Sequence, residues 1–297
     1  VSKVLVLGAS GLVGSHVSRV LARDGHEVHG TYRTHSPGPV GQSHPFDVER
    51  DGAENFHQIL KIAHPNIVVN CIAWPYVDGC QREPMRSHVM NQSIPTRIAQ
   101  MCADARIRYV FFSSGYVFGA GRRTYDELDM PFGNVEGPAN VYGDDKLQAE
   151  VGIRAVCPHA LIVRTVGVFG RDQAWKCFAA RLVKCLKHGK KLAFDPRGTS
   201  NWTWAHDLAE DVAAMLDDGL TGTYHSAGRL VCERGEFARL VCELLNLDQS
   251  LIVHTDAPEG SAPRLKNCVL SSIRAGYAYD NSESLPVAML HEMLEEA

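Results

Sequence analysis

Tyr142 and Lys146 stand four residues apart in ANVYGDDKLQAE, so a helix through them presents both side chains on one face. A phenol with pKa near 10 is a poor proton donor at neutral pH, and a cation one turn along can stabilise its phenolate. Ser114, in YVFFSSGYVFG, adds a hydroxyl able to orient a carbonyl oxygen. These three residue types suit proton delivery to the alkoxide that forms when a carbonyl is reduced. Spacing alone does not decide, because any exposed amphipathic helix can supply Tyr-x-x-x-Lys. The intervening Asp144 and Asp145 read as the solvent side of that helix.

A reduction also needs a hydride, and VLVLGASGLVGSHV offers a place to hold its carrier. Gly8, Gly11 and Gly14 follow an apolar run and open a helical pattern. Gly8 permits a tight turn, Gly11 lets backbone amides approach a pyrophosphate, and Gly14 allows close helix–strand packing. The helix N-terminus adds partial positive charge toward the phosphates. A dinucleotide site is the expectation. The second strand, HEVHGTYRTH, ends without the acid that would hold an adenosine 2′-hydroxyl and offers Thr31, Tyr32 and Arg33 instead. A guanidinium there can pair with a 2′-phosphate, which favours NADP(H) over NAD(H). The plainer alternative is a surface arginine. Asp47, followed by Val48 in PFDVER, falls where an adenine contact is expected, or it caps the next helix.

The elements that must carry these residues follow from hydrophobic periodicity. Val4–Leu7, Val28–Tyr32, Ile67–Asn70, Tyr109–Ser113 and Leu161–Arg164 read as strands. Gly11–Arg23, Ala53–Ala63, Gln92–Ala105 and Tyr142–Ala155 read as helices between them. Alternation of this kind predicts an α/β fold, a doubly wound parallel sheet with ligands at the carboxyl ends of its strands. Cys71, Ile72 and Ala73 leave the strand before NCIAWPYVDGC on that ligand side. Past about residue 165 the pattern loosens into a smaller α/β lobe. We expect a dinucleotide-binding domain over 1–165 and a substrate lobe over 166–297, with about 203–226 returning to the first domain.

The 297 residues are 45% hydrophobic and 22% charged, as in an ordinary globular protein. A net charge of −4 provides no general basic field for nucleic acid. No apolar run reaches the roughly 18 residues of a membrane span. Nine scattered cysteines, without CxxC or zinc spacing, read as reduced thiols, and a cytoplasmic location with no metal is expected. A homodimer is the default assembly.

VVNCIAWPYVD, SSGYVFG, PANVYGDDKLQAE and LIVRTVGVFG resemble, in order and spacing, successive motifs of the dTDP-4-dehydrorhamnose reductase branch of the extended short-chain dehydrogenase/reductases. The likeness runs from residue 1 to about 210. NWTWAHDLA and, more loosely, APRLKNCVLSS extend it. It implies a Rossmann domain, NADPH, and reduction of a keto group, at C4, on a nucleotide-linked deoxysugar. It matches Ser114, Tyr142 and Lys146 to the catalytic Ser/Thr, Tyr and Lys. Gly8, Ser10, Gly11, Leu12 and Val13 match the phosphate turn, and Asn91 matches the asparagine opening the helix after the fourth strand.

The family's Ser-Thr-Asp-Tyr-Val-Phe-Asp reads Ser-Ser-Gly-Tyr-Val-Phe-Gly here, so glycines replace both acids, at 115 and 119. Related 4,6-dehydratases carry Asp-Glu where Gly115-Tyr116 stand, which argues against dehydration. Tyr116, Trp175 and Arg264 are carried as substrate contacts: aromatic rings to stack and a cation for a diphosphate. Two alternatives are an epimerase that retains its cofactor and a non-catalytic NADP-binding regulatory subunit, like that of methionine adenosyltransferase.

Overall fold

Val4 and Val6 face one side of the first strand while Leu5 and Leu7 face the other, and both sides are buried. That pattern demands helices on both faces of a sheet. The computed structural model describes residues 1–36, 41–119, 124–131, 137–171 and 176–274, so Trp175 lies outside the described residues.

The chain begins with β1 (Lys3–Leu7), α1 (Leu12–Arg23), β2 (Glu27–Tyr32), β3 (Gln42–Pro45), α2 (Ala53–Ala63) and β4 (Ile67–Asn70). Two short helices, α3 (Val77–Arg82) and α4 (Pro84–His88), lead through one π-helical turn (Val89–Ser93) into α5 (Ile94–Asp104). Then come β5 (Arg108–Ser114), α6 (Val141–Val156), β6 (Leu161–Thr165) and β7 (Val168–Phe169). The rest comprises α7 (Phe178–Lys187), β8 (Leu192–Phe194), β9 (Thr199–Asn201), β10 (Thr203–Trp204), α8 (Ala205–Asp217) and β11 (Gly222–His225). It ends with β12 (Val231–Glu233), α9 (Arg234–Leu245), β13 (Ile252–His254) and β14 (Asn267–Cys268).

Seven strands form one parallel sheet in the order β11, β6, β5, β4, β1, β2, β3. The order reverses between β1 and β4, where such sheets open a ligand crevice. One face packs Val4, Val6, Val69 and Val110 against α1 and α8. The other packs Leu5, Leu7, Val68 and Phe111 against α2, α5 and α6. Residues 205–225 thus come back to the sheet after the chain has left it, α8 lying on α1 and β11 pairing with β6. A separate core, centred on Trp202 stacked 3.7 Å from Phe237, joins α7, α9 and the small strands.

Two elements depart from expectation. β3 carries no apolar signal, because QSHP is a mostly exposed edge strand recruited by pairing with β2. The helix expected from Gln92 begins eight residues earlier, at Pro84, and contains the π-helical turn. Pro95 has no N–H to offer the Asn91 carbonyl, and the ladder slips so that the Ile94 N–H reaches the Val89 carbonyl. Asn91 therefore sits inside a helix rather than at its start.

One buried cluster fixes α6 on the sheet. Glu150 of α6 accepts two bonds from Arg164 of β6, at 2.8 and 2.7 Å, and one from the Ser113 hydroxyl of β5 at 2.6 Å. Burial pushes the Glu150 carboxyl up, but the Arg164 bonds and charge outweigh it and hold it below the usual carboxylate value. The stabilisation is complete above the unfolded carboxyl pKa near 4.3 and is lost as pH falls through the lower folded value. Glu150→Ala leaves Arg164 buried and unpaired, so unfolding free energy should fall by about 3–5 kcal/mol in denaturant titration.

Candidate active site

At the end of β1, Gly8 takes φ +72° and turns the chain into α1. A Cβ on Gly14 would stand 2.2 Å from the Gly8 carbonyl oxygen, so only glycine lets α1 pass this close to the turn. Gly11 caps α1 without a side-chain bond, and no acid lies in the first turn. The amide-rich end is left with its positive potential, as a pyrophosphate requires. Ser10, Leu12 and Val13 share this turn. Ile72 Cγ1 would lie 3.2 Å from a Gly8 Cβ, which places the Cys71–Ala73 segment across the crevice from it.

Beyond β2 and β3 a cleft is lined by Arg33, Thr34, Asp47, Glu49, Arg50 and Arg86. Tyr32 ends β2 beside it. Asp47 does not cap α2, whose N-cap is Gly52. Its carboxylate accepts the Glu49 N–H at 3.1 Å and shapes the loop carrying Val48. Glu49 and Arg86 have no sequence signal, since the fold alone brings them to Arg33.

The proton-donor set assembles where β5 ends. Ser114 Oγ accepts the Tyr116 N–H at 3.2 Å and lies close enough to Tyr142 to act on its phenol. Asn140 caps α6 by accepting the Gly143 N–H at 3.0 Å. A Cβ on Gly143 would lie 2.2 Å from the Tyr116 carbonyl, so glycine brings the first turn of α6 onto the end of β5. Burial raises the Tyr142 phenol well above its usual value, with the Ser114 hydroxyl opposing it. Tyr142 is therefore held as a protonated donor.

Lys146 departs from its expected role in this state. Its Nζ donates to the Phe112 carbonyl at 2.9 Å and lies 6.0 Å from the centre of the Tyr142 ring. Burial lowers its pKa to about 8, against the opposing charge of Glu150. The tyrosine is governed by burial, and the same burial loosens the lysine's proton without removing it at neutral pH.

Asp145 corrects the reading of a solvent face. It is fully buried and hydrogen-bonded to Ser87 and His88 of α4. Asn91 is likewise buried. Its Oδ1 accepts the Trp74 N–H at 2.9 Å and its Nδ2 donates to the Trp74 carbonyl at 3.1 Å. Those bonds spend its amide on holding the segment after β4.

On the opposite side, Tyr116 meets Tyr142 edge to face with ring centres 6.0 Å apart. Arg264 pairs with Asp78 at 2.9 Å and, with Arg234, is close enough to lower the Tyr116 pKa against the larger effect of burial. Asn140 donates to the Pro263 carbonyl at 2.8 Å, so the second lobe closes over α6. The acid missing at 115 has a steric counterpart: a Cβ there would lie 2.8 Å from Cys268 Sγ, which fills the space. Among the described residues no group of three His, Cys, Asp or Glu could hold a metal, and no helix is long and apolar enough to cross a membrane.

The profile of the RmlD substrate binding domain matches residues 2–294. The chain belongs to that family. This RmlD-family chain is 31% identical over 271 residues to a probable low-salt glycan biosynthesis reductase, Agl14, of Haloferax volcanii, covering 89% of this chain and 88% of the relative. It is 30% identical over 281 residues to the dTDP-4-dehydrorhamnose reductase of Mycolicibacterium smegmatis, covering 93% and 80%. Among solved structures, a hypothetical dTDP-4-dehydrorhamnose reductase from Sulfolobus tokodaii superposes with TM-score 0.80 at 27% identity, covering 96% of this chain and 98% of that one. The Bacillus anthracis dTDP-4-dehydrorhamnose reductase in complex with NADP gives TM-score 0.80 at 21% identity, covering 100% and 99%, and speaks for the fold alone.

Burial weakens the hold of Lys146 on its proton. With its folded pKa near 8 against 10.5 when free, the penalty is full below about pH 8 and disappears as pH rises through 10.5. Lys146→Met should therefore raise stability at pH 7 by roughly 1–3 kcal/mol, with a gain that shrinks toward pH 10 in thermal melts. A gain independent of pH would contradict the assignment.

Proposed function

We propose that the protein is an NADPH-dependent reductase of a keto group, at C4, on a nucleotide-linked deoxysugar. The observation that carries it is the convergence of Ser114, Tyr142 and Lys146 at the carboxyl edge of the parallel sheet, the edge that also carries the Gly8–Gly14 turn. The relatives named as sugar reductases support the substrate class.

NADPH, when bound, supplies the hydride to the carbonyl carbon. Ser114 donates to the carbonyl oxygen and fixes its position. Tyr142, kept protonated by burial, gives its proton to that oxygen as negative charge develops, and the ketone becomes an alcohol. The resulting phenolate is buried, and the Lys146 ammonium is the nearest group able to compensate it once it turns from the Phe112 carbonyl. Tyr116 and Arg264 bound the side from which the sugar nucleotide enters. Trp175 is retained as a substrate contact on the family likeness only.

A panel of nucleotide-linked 4-ketosugars with NADPH, followed by absorbance loss and product mass, tests this reading. Tyr142→Phe should lower turnover by about 10²–10⁴-fold while NADPH binds nearly as before. Full activity in that variant would remove Tyr142 from the mechanism. The kcat/KM profile should decline above pH about 8 as Lys146 loses its proton. Oxidised cofactor that copurifies, with no net NADPH consumption, would point to the epimerase instead.

A further inference from the structure

The acid absent from the end of β2 is delivered by the loop after β3. Glu49 lies between two arginines from different elements: Arg33 beyond β2 and Arg86 on α4. Arg86 Nε and Nη2 donate to the two Glu49 carboxylate oxygens at 2.9 and 3.1 Å, in a fork. Arg33 Nη1 reaches Glu49 Oε2 at 3.4 Å. The Arg86 guanidinium also lies over the Trp74 ring, 4.7 Å from its centre, so it is held from below while its donors face the cleft. We propose that Glu49 and Arg86 set the choice of nicotinamide cofactor: Glu49 displaced, both arginines take the 2′-phosphate of NADPH; Glu49 in place, it accepts the ribose 2′-hydroxyl of NADH. The inference rests on the dinucleotide reading of the crevice given above.

The chemistry of the three side chains leads there. A planar fork that fits a carboxylate fits a phosphate equally, so the two anions compete for the same N–H groups. The cleft holds three arginines and two carboxylates, an excess of one positive charge for a phosphate of nearly two negative charges. Leaving Glu49 in place would set carboxylate against phosphate. Moving it out is inexpensive, because its ion pairs are partly exposed and such pairs contribute about 0–1 kcal/mol. With NADH no phosphate arrives, and two guanidinium groups would face a neutral hydroxyl. Glu49 then keeps them neutralised, and a carboxylate with about four acceptor positions has one left after three arginine N–H contacts. The site is thus built to accept both cofactors, with Glu49 limiting its preference for NADPH.

Binding of NADPH and of NADH to the full chain, followed by cofactor fluorescence at fixed ionic strength without any sugar, tests this. Glu49→Ala should weaken NADH and tighten NADPH, raising the ratio of the two affinities by about tenfold, the size of one charge-assisted contact. Glu49→Gln should tighten NADPH with a smaller loss of NADH. Arg86→Met should weaken NADPH by about tenfold and NADH by less than about twofold. The proposal is overturned if the ratio stays within twofold of the parent in the Glu49 variants, or if Arg86→Met weakens both cofactors equally. Circular dichroism checks that each variant is folded, and one folded variant of the three is enough to decide between these outcomes. A parent protein that binds neither cofactor would instead overturn the dinucleotide reading, and this inference with it.

Discussion

Everything at the candidate active site hangs from the buried pair of Glu150 and Arg164. A helix lying on a parallel sheet can slide along it, since apolar contacts have little directional preference. A bidentate guanidinium–carboxylate bond does not slide, and here it joins the middle of α6 to β6 while Ser113 ties the same carboxylate to β5. Glu150 stands one turn beyond Lys146 and two beyond Tyr142. The register that places those side chains at the end of β5 is therefore set from inside the sheet. Asp145 adds a second tether, from the other flank of α6 to α4.

That burial has a chemical cost and a chemical use. Tyr142 and Lys146 are both pressed toward their neutral forms by the same lack of water. A neutral phenol is the donor a developing alkoxide needs. The lysine has to remain an ammonium to compensate the phenolate, and that charge is favoured by Glu150 first, then by Cys80 and Asp145, while the Phe112 carbonyl accepts from it. The carboxylate that fixes the register therefore also supports the lysine.

How much of this can be read in the sequence follows from how local each cause is. The five apolar strands and the glycine turn are plain there, because β-branched runs and a Gly-x-x-Gly-x-x-Gly spacing are properties of adjacent residues. Helix Ala53–Ala63 has the bounds that its periodicity indicates. β3 is invisible because its stability comes from pairing with β2, not from QSHP itself. Asp145 looks like solvent-facing charge because its partners Ser87 and His88 are more than 50 residues away in the chain. Glu49 escapes for a similar reason: an acid is expected at the end of β2, and the cleft receives it from the loop after β3. Serine, tyrosine and lysine are legible as a set only because the order of strands brings successive carboxyl ends to one edge.

The return of residues 205–225 to the sheet has a consequence for synthesis. The chain emerges from the ribosome N-terminus first, and domains tend to fold as they emerge. When β6 is complete, one face of the sheet still lacks α8, and Val4, Val6, Val69, Val110 and Val163 have only α1 to cover them. The outer side of β6 is also an open strand edge until β11 arrives. The first lobe cannot be closed until the chain has run through α7 and β8–β10 of the second. A nascent chain stalled between residues 165 and 205 exposes both that apolar face and that strand edge.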